Sequence, residues 1–248
     1  MSVNKLQKYL QKNPPVVVPN NSQKLLVPVI LSDSKGAKLK EKVSTQIQQN
    51  IVWWCEPGAT TAQRVSWLQS HIQQKLPLLG NIHLYVWTGT CDFTSKGKGG
   101  IISLTEKDPT DDILEQYQKV INLMNNYPNS RVTFLDTPVY SIVHWNTHFK
   151  HKEPSKFREQ DSDLSSRIRN LNSRIKQLNR VANQKAPDFN QDIYKTSKIR
   201  TGNRLGPPTP VIKFKFSLYY DGIHPTYHLA RVWLRKLEFQ IFEDCWSH

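Results

Sequence analysis

Three polar residues near opposite ends of the chain have the side chains that acyl transfer requires. Ser34 follows the apolar run "VPVILSD", and Asp221 and His224 lie three residues apart in "DGIHPTYHLARVW". A nucleophilic serine needs a base within hydrogen-bond reach and a carboxylate that fixes the tautomer of the imidazole. Taken singly, a serine in a turn is usually a cap, and a histidine before proline is usually a loop residue. Together they predict Ser34 as nucleophile, His224 as base and Asp221 as the orienting carboxylate.

The segments that would position these residues predict an α/β fold. The apolar runs "LLVPVIL", "IVWWC", "IHLYVWTG" and "RVTFLDTPV" are separated by segments with helical periodicity. Strands spaced by helices imply βαβ units, so we predict a doubly wound, mostly parallel sheet. Such sheets bind ligands at the carboxyl ends of their strands, and the loops after Leu31, Cys55 and Gly89 are therefore expected to carry the chemistry.

Length and composition limit the classes of protein that fit. The chain has 248 residues and a net charge of +14, which predicts one main domain with anionic partners or substrates. Its three cysteines lack the spacing of a disulfide framework, and no apolar run has the length of a signal peptide core or a membrane span. We expect an intracellular, cytoplasmic protein, with the nucleus as an alternative. A flexible tail over 1–24 and a single domain over 25–248 are predicted.

The positive charge is concentrated in a basic helical and loop segment at about 151–210. Between Lys150 and Lys215 there are sixteen Lys/Arg and six Asp/Glu, and one helical stripe of apolar residues runs from Leu164 to Val181. The turn-rich "RTGNRLGPPTP" then predicts a surface loop. A basic helix face is often only a solvated surface, but it could bind a polyanion. The candidate binding residues are Arg167, Arg174 and Arg180.

Four motifs occur in the order found in one enzyme superfamily: "LSDSKGA", "EPGATT", "WTGTCDF" and "DGIHP". The chain resembles the SGNH/GDSL hydrolases over about Val27 to Leu237. This resemblance implies a three-layer α/β/α fold, flavodoxin-like, and a serine esterase, lipase or deacetylase. It implies that Ser34 is the nucleophile and that the backbone N–H groups of Ser34 and Gly58 bind the oxyanion. The neighbouring positions of the motifs are Asp33, Gly89, Thr90 and Asp92.

The chain departs from the family pattern at two positions. Ser32 stands where the first motif usually begins with glycine. Cys91 stands where the third motif usually has an asparagine, whose amide is the third oxyanion donor. Loss of one such donor typically lowers turnover about 10²–10³-fold, and a thiol is a weak replacement. The hydroxyls of Thr90 and Thr94 are candidate substitutes, and Cys91 as an alternative nucleophile is disfavoured beside an intact Ser-His-Asp set.

Other kinds of site fit the sequence less well. The cysteines and histidines lack the paired spacing of a zinc site, and "SKGKGG" lacks the order of a phosphate-binding loop, so we predict no metal and no cofactor. Trp145, in "VHWNTHF", is a candidate for the wall of a substrate pocket.

Two functional hypotheses remain at this point. The first is a serine ester hydrolase that acts on an O-acyl ester substrate through an acyl-enzyme. The alternative is a catalytically weakened SGNH-fold module that binds nucleic acid or another acidic surface through its basic helix. SGNH domains also occur in proteins of some animal retroelements, which would suit a basic chain. The sequence identifies neither the acyl group nor the oligomeric state.

Overall fold

The computed structural model describes residues 2–199 and 209–247. Its central sheet has four parallel strands, in the spatial order β2-β1-β3-β6. The strands, in chain order, are β1 (Val27–Ser32), β2 (Val52–Cys55), β3 (Ile82–Trp87), β4 (Thr94–Lys96), β5 (Ile102–Leu104), β6 (Arg131–Phe134), β7 (Tyr194–Ile199) and β8 (Thr209–Phe214). The pairs β4-β5 and β7-β8 form two separate antiparallel hairpins. The predicted α/β fold with a mostly parallel sheet is confirmed.

Eight α-helices surround this sheet. They are α1 (Val3–Lys12), α2 (Ser34–Lys40), α3 (Gln46–Gln49), α4 (Thr61–Leu79), α5 (Thr110–Met124), α6 (Ile142–His148), α7 (Arg158–Val181) and α8 (Tyr227–Cys245) within the described ranges. Helices α4 and α5 pack together on one face, whereas α2, α3 and α8 contact one another on the other. The sheet is therefore the middle of three layers.

The register of the sheet brings the predicted site loops to one edge. Ser32, the last residue of β1, pairs with Cys55 at the end of β2 and with Trp87 at the end of β3. Every residue of β3 is buried, as expected for a strand covered on both faces. The loops that follow these three strands consequently begin side by side.

Helix α7 closes the open edge of the sheet at β6. Asn179 accepts a hydrogen bond from Phe134 N (3.0 Å) and donates one to Phe134 O (2.7 Å). Asn172, seven residues earlier on the same helix face, makes the same pair of bonds with the backbone of Thr137 (both 2.8 Å). These amides take the place of a neighbouring strand at Phe134 and repeat the same pattern at Thr137, because each offers one donor and one acceptor to the backbone. The polar positions within the apolar stripe of α7 are thus part of the fold.

The N-terminal segment differs from the sequence-based expectation of a flexible tail over 1–24. Helix α1 packs against α8, Leu6 is fully buried, and Val16 N donates to Glu238 Oε1 (3.1 Å). The segment is held because the apolar side of α1 completes the core beside α8. The predicted basic segment contains α7 and the β7-β8 hairpin, and most of its loop, 200–208, lies outside the described residues. Among the described residues, no helix has the length and apolarity to cross a membrane.

Candidate active site

The three predicted catalytic residues form one chain of hydrogen bonds. His224 Nε2 lies 2.9 Å from Ser34 Oγ, and His224 Nδ1 lies 2.6 Å from Asp221 Oδ2. Ser34 begins α2 directly after β1, whereas Asp221 and His224 lie just before α8. The fold thus brings residues 190 positions apart within reach of proton transfer. The histidine and the carboxylate are nearly buried, and Ser34 is half-buried at the mouth of the site.

Asp221 is held by its own loop. Its Oδ1 accepts from the backbone N–H groups of Ile223 (2.9 Å) and His224 (2.7 Å). Burial alone would raise the pKa of Asp221, but the hydrogen bonds from the ring and backbone of His224 and from Ile223 outweigh it and lower the pKa. Gly222 has φ +97°, and a Cβ there would lie 2.6 Å from the backbone N of Trp145. The loop needs glycine at this position, and the carboxylate remains ionised to orient the imidazole.

The backbone donors expected to bind an oxyanion lie at helix and loop starts. Ser34 is the first residue of α2, so its N–H has no acceptor within the helix. Gly58 follows β2 with φ +83°, and nothing lies within 4 Å of the place a Cβ would take. Neither N–H forms a hydrogen bond within the described part of the chain. Both are available to a ligand, and the positive φ explains the glycine.

Ser32, the first departure from the family pattern, is accommodated by a neighbouring glycine. The Ser32 hydroxyl donates to Trp87 O (2.8 Å) and accepts from Gly36 N (3.2 Å). A Cβ on Gly36 would lie 2.6 Å from Ser32 Cβ and 2.8 Å from Cys55 Sγ. The extra side chain at position 32 therefore fits only because residue 36 has none. The Ser32 hydroxyl thereby joins β1, β3 and α2 close to Ser34.

Cys91, the second departure, is a protonated thiol. Burial, and then the negative charge of Asp33, raise its pKa to about 12. A thiol with a pKa this high is almost entirely protonated at neutral pH, which lowers its nucleophilicity. The hydroxyls of the two candidate substitute donors act as acceptors, Thr90 from Lys35 Nζ and Thr94 from Tyr140, and these bonds leave their O–H protons free to donate.

Lys35 was not predicted from the sequence, although it follows Ser34 directly. Its side chain is 2% exposed, and its Nζ lies 2.6 Å from Asp33 Oδ2 and contacts the hydroxyl of Thr90. Asp33 also caps α2, since its Oδ1 accepts from Lys35 N (2.9 Å). Lys35 thereby joins the cap of the nucleophile helix to the loop that carries Cys91. Lys35 lies four residues before the buried Leu39, and this spacing is the one sequence signal that places Lys35 on the inner face of α2.

The remaining motif residues shape the loop after β3. Gly89 has φ +107°, and a Cβ there would lie 2.8 Å from Thr137 Oγ1. Asp92 accepts from the backbone N–H (3.1 Å) and hydroxyl (3.0 Å) of Thr61 and so caps α4. Burial raises the pKa of Asp92 despite these bonds. Gly89 and Asp92 thus fix the path of the chain on either side of Cys91.

Aromatic rings lie next to the imidazole of His224. The ring of Tyr220 stacks on that of His224 at 5.7 Å, and the ring of Trp145 lies 6.0 Å from it on another element. Tyr220 is 50% exposed. Trp145 and Tyr220 therefore place aromatic surface next to the imidazole.

The three arginines predicted to bind a polyanion have different surroundings. Arg167 pairs with Asp163 (2.9 Å) and donates to Thr105 O (2.8 Å), and Arg174 pairs with Asp111. Arg180 is exposed near the end of α7. Two of the three side chains are thus engaged within the fold.

Comparison with known proteins gives a likeness in structure alone. No family model matches the chain, and no curated protein matches its sequence. A GDSL-like lipase from Bacteroides thetaiotaomicron superposes with a TM-score of 0.59 at 13% identity, covering 98% of this chain and 100% of that one. A protein described as a candidate acylhydrolase from Bacteroides fragilis gives 0.57 at 15% identity, covering 98% and 99%. The chain has the fold of the SGNH/GDSL lipases and acylhydrolases.

Proposed function

We propose that the protein is a serine ester hydrolase of SGNH type that acts on an O-acyl ester through an acyl-enzyme. The observation that carries this proposal is the continuous chain from Ser34 Oγ through His224 to Asp221, with distances of 2.9 and 2.6 Å. Two backbone donors without an internal acceptor, the N–H groups of Ser34 and Gly58, support it further. The lipase and acylhydrolase names of the similar structures are consistent with it.

In the first half of the reaction, Ser34 Oγ attacks the acyl carbonyl while His224 Nε2 accepts its proton. Negative charge develops on the carbonyl oxygen, towards which the N–H groups of Ser34 and Gly58 would donate. The bond between the acyl carbon and the alcohol oxygen then breaks, and His224 returns the proton to the leaving alcohol. The Asp221 carboxylate stabilises the imidazolium that exists between these two transfers.

In the second half, water replaces the alcohol. His224 accepts a proton from the water as its oxygen attacks the acyl carbon, and Ser34 leaves with that proton. The products are a carboxylic acid and regenerated enzyme. Because Cys91 is a weak donor in the third oxyanion position, we expect turnover to be slow.

The direct test is labelling with a fluorophosphonate probe alongside hydrolysis of a short activated ester. Wild-type protein should react with the probe at Ser34 and release the alcohol, whereas Ser34→Ala should do neither. Ser141→Ala is a suitable control, since Ser141 also lies at the start of a helix, as the N-cap of α6, but is outside the triad. Wild-type turnover by purified Ser34→Ala would refute the proposed mechanism.

A further inference from the structure

An open pocket of about 550 Å³ lies between α6 and the start of α7. Three of its lining residues are lysines, Lys150, Lys152 and Lys156, and its single carboxylate is Glu153. The three lysines are exposed, and none pairs with a carboxylate within the described residues, in contrast to Lys107 or Lys119. We call this site the lysine pocket. Its size is that of a small-molecule site.

The β4-β5 hairpin adds further positive charge to the same region. Its tip contributes Gly99 and Ile101 to the pocket wall, and Lys96 and Lys98 are exposed beside them. The hairpin is fixed to α6, because Trp145 Nε1 donates to Gly100 O (2.8 Å). Two separate segments therefore present lysines around one depression, which raises the local concentration of anions.

Aromatic side chains connect the lysine pocket to the triad. Phe149, in the pocket wall, stacks on Trp145 at 4.6 Å, and Trp145 in turn lies 6.0 Å from the ring of His224. In the proposed reaction His224 protonates the leaving alcohol, so the alcohol part of the substrate must lie on the His224 side of Ser34. A substrate that extends from Ser34 across this wall would reach the lysines with its alcohol part.

We propose that the lysine pocket binds an anionic group, such as a phosphate, sulfate or carboxylate, on the alcohol part of the ester substrate. This inference rests on the proposed function and specifies its substrate class. Ammonium groups without a carboxylate partner can form charge-assisted hydrogen bonds to such oxygens. The aromatic wall would hold the carbon skeleton between the ester and the anionic group.

The backbone at Lys150 provides a variant that removes charge without harming the fold. Lys150 has φ +58°, and its N–H bonds to Thr147 O (3.0 Å) while that of His151 bonds to Asn146 O (2.8 Å). This arrangement ends α6 in the left-handed conformation that glycine adopts most easily. Lys150→Gly should therefore fold at least as well as the wild type.

The test compares two acetate esters with the same ring system and the same ester linkage: 8-acetoxypyrene-1,3,6-trisulfonate, and its neutral analogue with dimethylsulfonamides in place of the sulfonates. The variant is Lys150→Gly/Lys152→Gln/Lys156→Gln. We expect its kcat/KM for the sulfonated ester to fall at least about tenfold, mainly through KM, and its kcat/KM for the neutral ester to stay within about twofold. Added salt should reduce the wild-type preference.

A control variant, Lys5→Gln/Lys8→Gln/Lys12→Gln, removes the same charge from exposed positions on α1. It should keep the wild-type preference for the sulfonated ester. Equal losses in the two triple variants, or an unchanged preference in the pocket variant, would overturn the proposal. Failure of the esterase function itself would look different, because Ser34→Ala would then hydrolyse both esters as fast as the wild type.

Discussion

The turn at residues 32–36 and the helix α7 both bury polar side chains against the sheet, but they differ in where the hydrogen bonds end. In α7 the amides of Asn172 and Asn179 each saturate one donor and one acceptor of the backbone. At the turn, the chain from Asp221 through His224 ends at the half-buried hydroxyl of Ser34. Polar groups that satisfy one another stabilise a fold, whereas a series that ends at an accessible group can act on a substrate.

The largest expected effect comes from a substitution at Asp221, the buried end of the hydrogen-bond series. Asp221→Asn removes the carboxylate that orients the imidazole, and the resulting amide favours the wrong tautomer of His224. We expect kcat for a short activated ester to fall about 10³–10⁴-fold with little change in KM. Steady-state kinetics of the purified variant measure this, with a folded circular dichroism spectrum as the control. Unchanged kcat would mean that Asp221 serves only the loop.

The difference in stability between the wild type and Asp221→Asn should depend on pH. The pKa of Asp221 is lowered in the folded protein, so its ionised form stabilises the fold above the ordinary Asp pKa, near 4. That contribution is lost as the pH falls through the lowered folded-state pKa. The difference in stability between wild type and Asp221→Asn should be full at pH 7 and should shrink on acidification, as urea titrations at several pH values can show.

The second effect concerns the buried ion pair between Lys35 and Asp33, the two residues on either side of Ser34. Lys35→Met leaves the Asp33 carboxylate buried at 0% exposure without its cation, and we expect a loss of about 3–5 kcal/mol in the free energy of unfolding. Adding Asp33→Asn should recover most of this loss, since Asn still caps α2 and the uncompensated charge is gone. Denaturant unfolding of both variants measures the two values. A Lys35→Met protein as stable as the wild type would show that the pair contributes little.

A smaller effect on stability is expected from a substitution in helix α7. Asn179→Leu keeps the volume of the side chain but leaves Phe134 N and O buried without partners, which should cost about 2–4 kcal/mol of stability. The neighbouring exposed residue provides the matched control: Arg180→Gln should change stability by less than about 0.5 kcal/mol. Ester hydrolysis by folded Asn179→Leu should match the wild type. If its activity fell as far as that of Asp221→Asn, the two regions would not be separable.

Sequence reasoning succeeded where a position has both a distinctive residue type and a fixed neighbour along the chain. The alternating apolar runs predicted the sheet, and the three-residue spacing of "DGIHP" joined Asp221 to His224. It failed where a residue is explained only by partners distant in sequence. Lys35 resembles an ordinary surface lysine until Asp33 and Thr90 surround it, and the asparagines of α7 have a role only once β6 is the edge strand.

Residues 1–24 illustrate the same limit. Three prolines and a polar composition predicted a free tail, but the single buried side chain of Leu6 and the hydrogen bond from Val16 to Glu238 connect the segment to α8. The apolar side of α1 is too short to predict packing from the sequence, because its partner, helix α8, is known only from the structure.

The smallest expected effect concerns Cys91 and tests whether this residue stands at the position of the third oxyanion donor. Cys91→Asn restores a side-chain N–H at the third donor position, and we expect kcat to rise about tenfold, well below the full 10²–10³ value of a donor, because the pocket is fitted to a thiol. Cys91→Ala is the control. Since the pKa of the thiol is raised to about 12, it is neutral in the wild type, and its removal should change kcat by no more than a few-fold. An unchanged rate in a folded Cys91→Asn that still labels at Ser34 would contradict the assigned position. The third donor would then come from elsewhere, and the hydroxyl of Thr90, which accepts from Lys35 Nζ and keeps its own proton to donate, would be the first candidate.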